Sequence, residues 1–308
     1  MAPPVSLVSE VDAYERTVAG IEVHSIRTGR GYGPNIVTVV DDAEFTATGV
    51  TAQFPTLGRT TVSDDRVVLT VFMATPEGSR WCGVDVEPGS CLLYHPASEH
   101  AGVNPEGLTF AFASIELSKL ADVADDLQVN LGKPHRGVVQ VIEPTPASKR
   151  AGSALTETVV GTMAGIQIDS LHRDRLLSAV VSLFPGGPTK PVGSARRMDD
   201  RHLVSMCVDY AESVGRIPSM RELCSVTHTS ERRLRAAFNS VWDASPSHVL
   251  RAWALTEARR WLKRPRNGET IADVTRAGIE SHRAPCGGFY VPEVRVGEDA
   301  VWDQSDAA

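Results

Sequence analysis

Pro218-Ser219-Met220-Arg221-Glu222-Leu223-Cys224-Ser225-Val226-Thr227-His228-Thr229-Ser230-Glu231-Arg232-Arg233-Leu234-Arg235-Ala236-Ala237-Phe238 holds two helix starts separated by one turn. Ser219 stands as an N-cap with Glu222 as its partner three residues on, the pattern of a capping box. The helix it opens turns Met220, Leu223 and Cys224 inward and ends near Thr227. After His228-Thr229, Ser230 caps a second helix from Glu231 to about Val241, with Leu234, Ala237, Phe238 and Val241 along one side. Two short helices joined by a tight turn predict helix-turn-helix geometry.

The second helix carries Arg232, Arg233 and Arg235 in its first turns, and the N-terminal end of a recognition helix is the part that enters a major groove. A guanidinium fork can donate to guanine O6 and N7 together, and other arginines neutralise phosphates. The same arginines would also keep an amphipathic helix soluble, so the surrounding charge matters. Residues 196–308 hold 17 Lys and Arg against 16 Asp and Glu, while residues 1–195 hold 14 against 22. Within 216–266 the count is 11 basic to 4 acidic. An acidic half joined to a basic patch suggests that one part of the chain meets a polyanion and the other does not.

The pattern continues beyond the second helix. Leu223-Cys224, Ser230-Glu231-Arg232, Leu234 and Phe238 are followed by Ser245-Pro246, Leu250-Arg251, Leu255, Ala258-Arg259 and Leu262. Together they resemble the DNA-binding domain of AraC/XylS-type bacterial transcription regulators over roughly residues 200–278. The resemblance implies two helix-turn-helix units joined by a long helix, here about Ser247 to Lys263, reaching successive faces of the major groove. Family base contacts fall on Arg232, Arg235 and Ala236, of which only the arginines can donate. The DNA-contacting set implied is Ser230, Arg232, Arg233, Arg235 and Arg251, with Ser281, His282 and Arg283 from the second unit. Cys224 takes the place of a small residue packed between the helices. His228 occupies a turn position often held by glycine, where histidine tolerates a positive φ. Operator DNA, RNA polymerase, a small-molecule effector and a second copy of the chain are the partners implied.

Thr270 to Gly278 and the turn Ile279 to His282 extend the family pattern into the second unit, and then it fails. Pro285 falls near the fourth position of the expected recognition helix, at roughly 3 kcal/mol, and Gly287 and Gly288 add about 1 kcal/mol each. A shifted reading frame over Arg283 to Glu298 is the preferred explanation, and a divergent end is the other. A regulator relic that no longer reads operators is thereby an alternative function.

Upstream the period changes. Val67 to Met73, Gly83 to Val86, Cys91 to Tyr94 and Thr109 to Ile115 are short β-branched or aromatic runs bounded by Pro-Glu-Gly and Glu-Pro-Gly turns, which predicts an antiparallel sandwich or barrel. Val86 to His100 resembles the strand-turn-strand of cupin-like sensor domains. The fold class expected is α+β, an antiparallel β sensor domain followed by an all-α helix-turn-helix domain. Residues 1–146 form the sensor, 147–185 a helical connector, 186–195 a Pro/Gly linker and 196–308 the DNA-binding part. Trp81, Tyr94, Phe110 and Phe112 are candidates to line a ligand cavity, although alternating aromatics more often fill a core. His95, Glu99 and His100 lack the His-x-His spacing of a cupin metal site, so no metal and no cofactor is expected. A cupin-type metalloenzyme is the alternative they would support. The apolar side of 169–184, with Leu177, Val180, Val181 and Phe184, could pair with a second copy or pack on its own domain.

The 308 residues suit about two domains. Glu10, Asp12 and Glu15 occupy the place of a signal peptide's apolar block, and no apolar run reaches the ~18 residues of a membrane span. Five scattered cysteines without a Cys-x-x-Cys pair read as free buried thiols. A cytoplasmic, non-membrane, non-enzymatic protein is expected.

Overall fold

The structure, a computed structural model, describes residues 5–8, 20–29, 35–42, 44–132, 135–184, 190–191 and 195–263. The expectations on Ser281, His282, Arg283 and the break in the second unit lie outside the described residues. No described helix is long and apolar enough to cross a membrane.

The N-terminal part is antiparallel β. One sheet has the order β1 (Val5–Val8), β3 (Asn35–Asp41), β4 (Phe45–Thr51), β11 (Thr109–Glu116), β6 (Arg66–Ala74), β9 (Cys91–Tyr94), β12 (Val139–Ile142), β13 (Lys190–Pro191). The other runs β2 (Ile21–Arg27), β5 (Thr56–Val62), β10 (Glu99–Asn104), β7 (Arg80–Trp81), β8 (Val84–Asp85). β6 reads as an unbroken apolar run because both of its faces are covered. Val68 and Phe72 point between the sheets, whereas Val67, Leu69 and Val71 point to helices on the outside. The turn before β11 places Gly107 at φ 86°, a conformation that side-chain-bearing residues rarely adopt.

Among the described residues three helices cover the outer face of the larger sheet: α1 (Leu117–Asp126), α2 (Pro146–Met163) and α3 (Ser170–Val181). α2 starts on a capping box in which the Thr145 side chain accepts from the Ser148 N–H and Ser148 Oγ accepts from the Thr145 N–H, with Pro146 in the first turn. It continues through Gly152 and Gly161. On the strand it crosses, a Cβ at Gly49 would lie 2.4 Å from Val159 Cγ1, so this glycine sets how closely α2 approaches. Asp169 caps α3, and Leu176, Leu177, Val180 and Val181 are fully buried among α1, α2 and the sheet. Of the two destinations open to that apolar side, its own domain is therefore the one taken, and a second copy has no access to it. Residues 147–184 contribute to the β domain's core, with Ala151, Leu155, Val159, Leu176 and Leu177 buried in it. The Pro/Gly linker departs from expectation: Lys190 and Pro191 pair with Val141 and Gln140, which covers backbone groups β12 would otherwise leave open at the sheet edge.

The C-terminal part is helical: α4 (Ala195–Val214), α5 (Met220–Val226), α6 (Glu231–Trp242) and α7 (Pro246–Lys263). Both expected caps form, Ser219 accepting from the Glu222 N–H and Ser230 from the Arg233 N–H. His228, in the turn between α5 and α6, has φ 49°. Val204, Cys207, Leu223, Leu234, Phe238 and Trp253 build this core. It does not stop at the domain boundary, because Ile26, Leu57 and Ala101 from the outer face of the five-stranded sheet belong to the same buried cluster.

Candidate nucleic-acid interface and binding cavity

α6 sorts its arginines by position. Leu234, Ala237, Phe238, Val241 and Trp242 are buried, so residues on the opposite side must face outward. Arg232 and Ala236 are exposed, and no partner for Arg232 is found among the described residues. Arg235 is exposed and bonds only Glu231, one turn back, at 2.6 and 2.9 Å. Arg233 differs from expectation. It is half-buried and its Nη1 donates to Asp200 on α4, a carboxylate only 5% exposed. A phosphate would have to compete with that pair, so Arg233 is removed from the outward set. The Ser230 hydroxyl is engaged in capping, and Arg251 on α7 is exposed.

The second feature lies between the two sheets. The four aromatics singled out in the sequence, Trp81, Tyr94, Phe110 and Phe112, are all buried and all line one cavity, together with Ile21, Val23 and His100. They serve as core and as lining at once. Phe110 meets Trp81 edge-on at 4.8 Å and lies 6.2 Å from Phe112, spacings typical of packed aromatic pairs. Trp81 Nε1 donates to Asn104 Oδ1 at 2.7 Å. The free space is about 30 Å³, room for roughly two waters. The His100 ring stacks on Trp81 at 4.7 Å, and burial, followed by the charge of Arg201 on α4, pushes its pKa down to about 3.

The residues considered for metal do not converge. His95 is buried against His135 and Phe184, at 5.5 and 5.8 Å between ring centres, Glu99 is exposed, and His100 faces the cavity. Among the described residues no group of three or more His, Cys, Asp or Glu could hold a metal ion. Cys82, Cys91 and Cys207 are buried free thiols, and burial raises them to about 11, 11 and 12. Cys224 is partly exposed, and Cys286 lies outside the described residues.

A seam joins the two features. Thr60, Val62 and His100 face the cavity, while Leu57, Arg59 and Ala101, alternating with them along β5 and β10, face the helical domain. Arg59 Nη1 bonds Asp209 on α4 at 2.6 Å, and the Arg27 N–H donates to Thr256 Oγ1 on α7 at 3.1 Å. Arg201 on α4 lies close enough to Cys82 and His100 for its charge to bear on both. None of these pairs had a sequence signal, because their members are more than a hundred positions apart.

No protein-family model matches the sequence, and no match is found among curated proteins. Among solved structures the chain is similar to the AraC-like transcriptional activator CuxR, at 13% identity over 89% of this chain and 98% of that one, with a TM-score of 0.40. It is also similar to ToxT from Vibrio cholerae, at 10% identity over 84% and 89%, with a TM-score of 0.32. A mutant of Bacillus subtilis oxalate decarboxylase OxdC is similar over 34% of this chain and 36% of its own, at 10% identity and a TM-score of 0.14. These are distant likenesses, and the functional reading rests on the geometry above.

Proposed function

We propose that the chain is a sequence-specific DNA-binding transcription regulator that answers to a small-molecule effector. In this reading α5 and α6 are a helix-turn-helix, and α6 enters the major groove with Arg232 and Arg235 on base edges. The observation that carries it is the division of α6: one side is buried, and the first turns of the other present Arg232, which has no partner among the described residues, and Arg235, held only by Glu231 of the same helix. Arg235 can leave Glu231 at little cost, since an exposed i,i+4 pair is worth only about 0.3–0.5 kcal/mol. Arg251 is assigned a phosphate. With the family pattern failing after His282, the first unit carries most of the base preference, and affinity is modest because one module makes fewer phosphate contacts.

The cavity is the effector site in this reading. β5 and β10 touch the cavity with one side and the helical domain with the other, so a shift of either strand reaches α4, α6 and α7 directly. A second copy would use the outward side of the α2–α3 hairpin, where Val160, Met163, Ile166 and Leu171 are 49, 48, 53 and 62% exposed. Selection from a random duplex pool tests the reading. A base motif should be enriched, and Arg232→Ala and Arg235→Ala should each relax one position of it. Folded protein that enriches no motif would overturn the proposal.

A further inference from the structure

The cavity's lining restricts what it can hold. Among the described residues that line it there is no Lys, Arg, Asp or Glu. Its walls are aromatic and aliphatic, with hydroxyls at Thr60, Thr70 and Tyr94. His100 is the exception. It is 7% exposed, and its Nδ1 is buried with no hydrogen-bond partner among the described residues. A buried polar atom left unmatched destabilises the fold, so an incoming group that satisfies it is favoured over one that cannot. Burial also keeps the ring neutral, which leaves one N–H donor and one acceptor nitrogen rather than a cation. Arg201, whose charge reaches His100, is not among the residues that line the cavity.

We infer that the cavity takes a small uncharged ring compound bearing one hydroxyl or N–H group, of the phenol class, with that group on Nδ1 of His100. An isolated carboxylate is disfavoured, because burying it without a paired cation costs more than a single neutral hydrogen bond returns. The inference rests on the reading of the cavity as the effector site. The present space of about 30 Å³ is well short of the ~150 Å³ that accepts benzene in an engineered core, so a wall has to part. Trp81 is one wall that could part, at the cost of its bond to Asn104. It stands on a two-residue strand, and its ring lies against Gly102, which offers no side chain to lock it.

The test uses the full chain, with calorimetric titration and thermal melts in phenol, toluene and benzoate. Phenol should bind at least about tenfold more tightly than toluene, the equivalent of one hydrogen bond of roughly 1.4 kcal/mol, and benzoate at least about tenfold more weakly than phenol. In His100→Leu, toluene should still bind while the phenol advantage shrinks to about twofold or less. Toluene binding shows that the variant's cavity is intact. Benzoate binding as tightly as phenol, a phenol preference that survives His100→Leu, or no binding by any of the three overturns the inference. Duplex affinity is measured separately. Phenol that binds as expected without changing duplex affinity leaves the ligand class standing and removes the effector role.

Discussion

α3 and α6 are both twelve residues long, and both place arginines before an apolar run: SLHRDRLLSAVV against ERRLRAAFNSVW. Their arginines have opposite fates. Arg173 grips Asp42 with two parallel bonds of 2.8 and 2.9 Å, and Arg175 reaches Glu157 at 3.4 Å. Arg173 is committed to holding α3 to the sheet domain, whereas the Arg175 pair is exposed on both sides. On α6 only Arg233 is committed in this way, while Arg232 and Arg235 face solvent. A cluster of arginines at a helix start therefore says little by itself. What distinguishes α6, and supports the proposed polyanion partner, is that no acid from another element holds Arg232 or Arg235 among the described residues.

The two helices should be equally costly to hollow out. Phe238→Ala is expected to lose about 3–5 kcal/mol and Leu177→Ala about 2–5 kcal/mol in denaturant unfolding, since both side chains are fully buried. The arginines should then part ways. Arg173→Ala leaves Asp42 half-enclosed without its partner and should cost about 1–3 kcal/mol of stability, less than a fully buried pair, with duplex affinity unchanged. Arg232→Ala should do the reverse, shifting stability by no more than about 0.5 kcal/mol and weakening the selected duplex by about 1–3 kcal/mol. Arg233→Ala should behave like Arg173→Ala, because it strands Asp200. If Arg232→Ala unfolds the protein or leaves duplex affinity intact, the contrast between the helices fails.

Acid sharpens the comparison between cavity and helix. Folded His100 stays neutral down to about pH 3, while in the unfolded chain it takes a proton near pH 6.5. The unfolded state therefore binds more protons in this window. Stability is whole above about pH 6.5 and falls by about 1.4 kcal/mol per pH unit on acidification from this residue. His100→Leu should flatten the slope by that amount in pH-dependent melts. An unchanged slope would mean the ring reaches solvent.

The helical domain was legible because its signals are local. Ser219 with Glu222, Ser230 with Arg233, and the apolar side of α6 lie within a few residues of each other, and each formed as read. The sandwich was legible as a class from runs such as Val67 to Met73, and the four aromatics proved to share one cavity. Long-range pairings were not legible. Asp200 taking Arg233, α3 turning inward and Lys190-Pro191 joining a sheet edge all depend on which surfaces the tertiary fold leaves open. His100 was weighed as a metal ligand because residue type says nothing about the direction a strand points its side chain.

The most direct test measures duplex association of the folded full chain against salt, beside an Arg232→Ala/Arg235→Ala double variant that melts at the same temperature. The account predicts binding that falls steeply as salt rises, and a loss of at least about tenfold in the double variant at any one salt concentration. Salt-insensitive association, or a double variant that binds as tightly as the parent, would contradict it.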